Sequence, residues 1–154
     1  MYAVLLGVLT TLGFSAFRSY WLGQALERGR DAVVTEMRAA QQRAQAESHP
    51  IVYGVFFRAG TDDWGLVSVD PRRTAGQCRI ERTMQFDGDV TVSVFTREGT
   101  VAQDATCMGV LGSTRAAYFY ARGSATGATV TLRTNSGRTR TIRVFPITGR
   151  VESS

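Results

Sequence analysis

The chain contains no lysine; all eighteen of its basic residues are arginine. This absence reads as the signature of a GC-rich genome rather than of a mechanism. Histidine is almost absent too. His49 is the only one, and it sits beside Pro50 at the end of a helical pattern, where an imidazole caps carbonyls or faces solvent. The serines therefore have no partner base, and no glycine-rich loop of the phosphate-cradling kind appears. Cys78 and Cys107 are the only cysteines, and with one distant histidine they do not form a metal site. Asp62 and Asp63 lie in one turn, Asp87 and Asp89 in another around Gly88, with too few oxygen ligands at that spacing for calcium. No cofactor, small-molecule substrate or enzymatic activity is expected. Internal repeats and low-complexity tracts are also missing.

Acidic residues are missing from one region. Residues 1–104 hold eleven arginines and twelve acids, whereas residues 105–151 hold seven arginines and no acid. The net charge of +5 is therefore concentrated in the last third of the chain.

What is present begins with one long helical pattern, Met1 to His49, stopped by Pro50. No charged side chain occurs before Arg18, and Val4, Leu5, Leu6, Val8, Leu9, Leu12, Phe14 and Phe17 make that stretch membrane-seeking. Tyr20 and Trp21 follow, the aromatic pair expected where an apolar helix meets lipid headgroups. Seventeen uncharged residues span about 25 Å, less than the roughly 30 Å of a hydrocarbon core. With no basic residue ahead of the run and no cleavage site behind it, the segment is not a secretory signal peptide. From Leu26 onward the pattern becomes amphipathic. Leu26, Val33, Met37, Ala40 and Ala44 form one apolar stripe suited to packing on a head domain. Glu27, Arg28, Arg30, Asp31, Glu36, Arg38, Gln42 and Arg43 are expected on the solvated remainder. The predicted organisation is a membrane or filament-core half over 1–21, an amphipathic half over 22–49 and a β-rich head over 50–154.

Within the head, β-branched and aromatic residues predict strands over 51–57, 64–69, 90–95, 117–120, 128–133 and 140–145. The last two flank Thr134-Asn135-Ser136-Gly137 and read as a terminal hairpin. Six or seven short strands imply an antiparallel β domain, so the fold class is α+β. Cys78 and Cys107, both expected in loops, either bridge or remain free thiols. Export by a membrane segment makes the bridge the expectation, and closing about thirty residues contributes roughly 3–4 kcal/mol.

Several segments in order carry a resemblance: Ser15-Ala16-Phe17-Arg18-Ser19-Tyr20, Ala32 to Ala44, then Ser48-His49-Pro50-Ile51-Val52. Asp63-Trp64-Gly65-Leu66-Val67, Phe95-Thr96-Arg97-Glu98-Gly99-Thr100 and Ile147-Thr148-Gly149-Arg150-Val151 follow. Together they resemble the GspH/FimT family of type IV pilin-like proteins: a prepilin helix, a Trp-Gly strand, an F-x-x-x-G strand-turn and a closing TGRV. The resemblance implies a pilin-like fold and a single-pass inner-membrane subunit with its head on the periplasmic side. Its partners would be other pilins, reached when the helix joins a helical filament of a type IV pilus or type II secretion pseudopilus. The expected role is that of a minor subunit in assembly initiation or at the tip, with no catalytic or metal site. The family's basic leader, its glutamate at mature position five and the methylated N-terminus have no counterpart here. The match of Phe17-Arg18 sets Met1 near the eighth mature residue, with those features expected upstream.

One alternative use remains, DNA binding for uptake. Arg138, Arg140 and Arg143 lie on or beside the terminal hairpin, and Arg150 is near the tail. In a strand, Arg138 and Arg140 share a face and Arg143 takes the other. Such arginines could neutralise phosphates without reading sequence. Equally, charge on exposed strands serves solubility.

Overall fold

Proline at position 50 marks the change from helix to sheet that organises the molecule. The computed structural model describes residues 2–47 and 50–154; near the start of the helix, side chains are described only at Phe17, Tyr20, Trp21 and from Gly23 onward. His49 and the side chains of Val4, Leu5, Leu6, Val8, Leu9, Leu12 and Phe14 lie outside the described residues. The opening helix α1 runs Tyr2–Ala46. After it come β1 (Val52–Phe57), β2 (Asp63–Val69), β3 (Cys78–Gln85) and β4 (Val90–Arg97). Helix α2 (Ala102–Leu111) follows, then β5 (Ala116–Phe119), β6 (Ala128–Thr134), β7 (Thr139–Val144) and β8 (Val151–Ser153).

The strands form two four-stranded antiparallel sheets, β3-β2-β1-β5 and β4-β6-β7-β8. In the second sheet, β6 alternates between buried Ala128, Val130 and Leu132 and more exposed residues between them. That is the pattern of a sheet with one wet face. In the first sheet every residue of β1 and β5 is buried. Its continuous apolar sequence serves two cores. Tyr53, Val55 and Phe57 join α1 and the second sheet in the larger core. Val52 and Phe56 point the other way, with Val67, Tyr118, Leu111 and the two cysteines, into a smaller core under α2.

The apolar stripe of α1 enters the larger core: Leu26, Val33, Met37, Ala40 and Ala44 are almost fully buried. The seven-residue gap between Leu26 and Val33 is filled by Gly29, where a Cβ would lie 3.1 Å from the Phe86 ring. A glycine there lets the helix approach the β3–β4 connection closely.

Two expectations for the helix surface need correction. Glu36 is buried, with its carboxylate 2.5 Å from Arg82 Nη2 of β3. Glu27 is half-buried and accepts from Arg140 Nε of β7 at 2.7 Å. Two acids assigned to solvent thus pair with arginines on the strands to either side of the helix. Charge alone marks a residue as solvated only where no opposite charge faces it.

The cysteines also depart from their expected loops. Cys78 opens β3 and Cys107 is buried in α2, and the two form a disulfide across 29 residues. The bridge holds α2 over the first sheet. Strand β3 is an edge strand with largely exposed side chains, so its sequence lacks the apolar alternation that marks a half-buried strand.

Candidate functional site

The candidate surface lies where α1 leaves the head. Phe17, Tyr20 and Trp21 are each more than half exposed there. Phe17 and Trp21, one turn apart, meet edge to face with ring centroids 5.8 Å apart. The Tyr20 hydroxyl accepts from Gln24 Nε2 at 2.8 Å. Tyr20, Gly23, Gln24 and Glu27 form one wall of a groove of about 420 Å³; Arg138, Thr139 and Arg140 form the other. The absence of a side chain at Gly23 makes this proximity possible, because a Cβ there would lie 2.8 Å from Arg138 Nη1. Among the described residues, no helix is long and apolar enough to cross a membrane.

The four arginines considered for phosphate binding do not form one surface. Arg140 shares the inward parity of Ile142 and Val144, and Glu27 of the helix neutralises it at 2.5 Å. Arg138 lies on the helix side of the β6–β7 turn, against Gly23. Arg143 is exposed on the opposite face, in a depression with Thr141, Glu152 and Ser154. Arg150 pairs with Glu152 at 2.7 Å and lies over the Phe145 ring at 5.1 Å. Although residues 105–151 contain no acid, folding brings Glu27 and Glu152 to two of their arginines.

Three of the motifs that carried the family resemblance have a structural task. In the Trp-Gly strand, a Cβ at Gly65 would lie 2.2 Å from the Arg82 carbonyl oxygen, so only glycine fits beside β3. Trp64 stacks between Phe57 and Phe86 under α1. In the F-x-x-x-G segment, the fully buried Arg97 side chain makes a bidentate ion pair with Asp104 of α2. The same guanidinium donates to the Ala116 carbonyl at 3.0 Å and the Gly99 carbonyl at 3.1 Å. It thereby joins the second sheet, α2 and β5 at one point, and it holds the Asp104 carboxyl below its ordinary range. In the TGRV segment, Gly149 has a φ of 61° and packs against Gln41 of the helix. Gln41 Nε2 donates to the Gly123 and Thr148 carbonyls, both at 3.3 Å, tying two loops to α1. Gln41 and Asp104 were not singled out from the sequence, since a single polar residue on a helix gives no sign of its distant partner.

No family model and no curated protein matches the chain. Two solved structures of the minor pseudopilin EpsH from the type II secretion system of Vibrio cholerae do match it in three dimensions. Their TM-scores are 0.61 and 0.62, over 84% of this chain and 95% and 93% of theirs. The chain has a pseudopilin fold. Sequence identity is only 7% and 9%, so the likeness resides in the arrangement of helix and sheets rather than in shared residues. That fold is a long helix packed on antiparallel sheets, the arrangement described above. Among the described residues, no three His, Cys, Asp or Glu side chains are grouped to hold a metal.

Proposed function

We propose that the protein is a structural minor pseudopilin of a type II secretion pseudopilus or type IV pilus, acting in assembly initiation or at the tip. One observation carries this reading: within a pseudopilin fold, α1 buries one face against the head from Leu26 to Ala44 and stands exposed at Phe17, Tyr20 and Trp21. An apolar helix of this kind is held in the inner membrane until the helices of neighbouring subunits bury it. The head then faces the periplasm, and repeated heterologous contacts extend a filament. The partners are other pilins, and the residues that matter are Val4, Leu5, Leu6, Val8, Leu9, Leu12, Phe14 and Phe17.

The test is deletion in the native host followed by complementation. Loss of secreted proteins or surface filaments, restored by the wild-type chain but not by Leu5→Arg/Leu9→Arg, is expected. Unchanged secretion and filament number on deletion would refute the role. The DNA-uptake alternative draws on the arginine-rich stretch, but Arg138 and Arg140 line the groove beside α1 whereas Arg143 and Arg150 lie near Glu152, and Arg140 and Arg150 are each paired with a glutamate. This arrangement favours the structural role.

A further inference from the structure

The two flanks of α1, where it leaves the head, carry opposite charge. On one flank lies the β6–β7 turn, exposed from Asn135 to Arg138, with exposed Arg133 next to it on the outer face of the same sheet. The Arg138 guanidinium fills the space that a side chain at Gly23 would take. On the other flank the β3–β4 turn Asp87-Gly88-Asp89 reaches the helix at Ala25, where a Cβ at Gly88 would lie 3.9 Å from the Ala25 Cβ. Gly23 is three residues, or about 4.5 Å along the axis, from Tyr20. Exposed Tyr20 and Trp21 are amphipathic rings of the type that settle among headgroups. The arginine turn is therefore at the height at which those rings meet a bilayer, on the reading that the preceding helix is embedded.

Resting on that reading, we propose that the β6–β7 turn is a lipid-contact site, in which Arg138 and Arg133 engage the phosphates of anionic phospholipids. The turn is drawn to the surface while the Asp87/Asp89 turn is repelled, so the head is held over the membrane in one tilt. Duplex DNA is the poorer occupant. It needs several arginines on one open face, whereas Arg140 is neutralised by Glu27, and Arg133 and Arg143 lie on the sheet face opposite Arg140. Each arginine near an anionic surface strengthens docking roughly fivefold, and salt screens it. A contact of this kind holds the head until the subunit is drawn into a filament.

The test uses the full chain in vesicles of phosphatidylcholine alone or with phosphatidylglycerol. An environment-sensitive fluorophore is placed at Ser136→Cys; the native cysteines are bridged and do not compete for it. Quenching by brominated lipid separately reports Trp21, because Trp64 is buried in the head. The proposal expects Trp21 to be quenched in both vesicles. It expects the Ser136 probe to enter a less polar setting only with phosphatidylglycerol, about fivefold more weakly in Arg138→Gln and not at all in high salt. A quenched Trp21 with a Ser136 probe indifferent to phosphatidylglycerol or to Arg138→Gln overturns the lipid contact and leaves the anchor intact. An unquenched Trp21 overturns the anchor and the contact together. A probe that responds to duplex DNA in detergent but not to either vesicle overturns the proposal in favour of nucleic acid.

Discussion

The Arg97–Asp104 pair predicts an asymmetry between two substitutions that a count of contacts would not give. The Arg97 side chain is completely buried and Asp104 is 25% exposed. In Asp104→Asn the guanidinium loses its carboxylate but remains charged inside the protein, beside the Gly99 and Ala116 carbonyls and the Tyr118 ring. Removing one partner of a buried pair costs about 3–5 kcal/mol. In Arg97→Met the methionine fills most of the volume and the Asp104 carboxylate turns to water. Two carbonyls then lose a donor at about 1 kcal/mol each, giving roughly 2–3 kcal/mol. The double variant removes both charges and should be less destabilised than the two single effects combined, with a coupling of about 1–3 kcal/mol. Acid should act in the same sense. The Asp104 carboxyl titrates below its ordinary range because Arg97 binds its charged form. Its stabilisation is therefore complete above the unfolded carboxylate value near pH 4 and disappears as pH falls through the lower folded value. Urea unfolding of the full chain in mild detergent, followed by circular dichroism at neutral pH and near pH 3, measures all four states. If Asp104→Asn unfolds within 1 kcal/mol of wild type, or if Arg97→Met is the more damaging, the guanidinium is not a buried charge held by this carboxylate.

Other expectations follow from the same packing. Gly65→Ala would set a Cβ 2.2 Å from the Arg82 carbonyl oxygen, which is backbone and cannot rotate away, so unfolding should be easier by about 2–3 kcal/mol or more. Replacing Cys78 and Cys107 with serine should lower stability by about 2–5 kcal/mol, and a thermal midpoint unchanged by reductant would contradict that. Burial, with a hydrogen bond to Glu47, pushes the Tyr53 hydroxyl up to about 12. The stability it contributes is complete below the unfolded value near 10 and is lost as pH rises through about 12. Spectroscopic titration of wild type against Tyr53→Phe would show one phenol fewer ionising in that upper range. In a fluorescence-anisotropy titration of duplex DNA, Arg138→Ala/Arg140→Ala/Arg143→Ala should match wild type at moderate salt. A salt-dependent affinity lost in that variant would restore the nucleic-acid reading.

The sequence made the helix legible through periodic burial and most strands legible through their composition. The apolar stripe of α1 repeats at helical spacing, and β1, β2, β4, β6 and β7 are rich in β-branched or aromatic residues. What it hid was contact between distant residues. Strand β3 pairs with β2 through its backbone while its side chains remain wet, so its composition resembles a loop. Helix α2 has only Cys107 and Leu111 buried, too few for a readable stripe. Strand β8 has three residues and exists because β7 offers it an edge. The candidate arginines were visible as a stretch without acids, but Glu27, far away in sequence, decides that Arg140 is a clasp on the helix. Charge balance along a chain says little about charge balance across a surface.

The central claim is that α1 beyond the head is a contact element for sister subunits. The most direct measurement is photo-crosslinking in the native host, with benzoyl-phenylalanine replacing exposed Phe17 and, as a control, buried Val33. The account predicts crosslinks from position 17 to other pilin-like subunits when the assembly system is intact, and none from position 33. Crosslinks from position 17 only to lipid or to unrelated proteins, with the assembly system active, would contradict it.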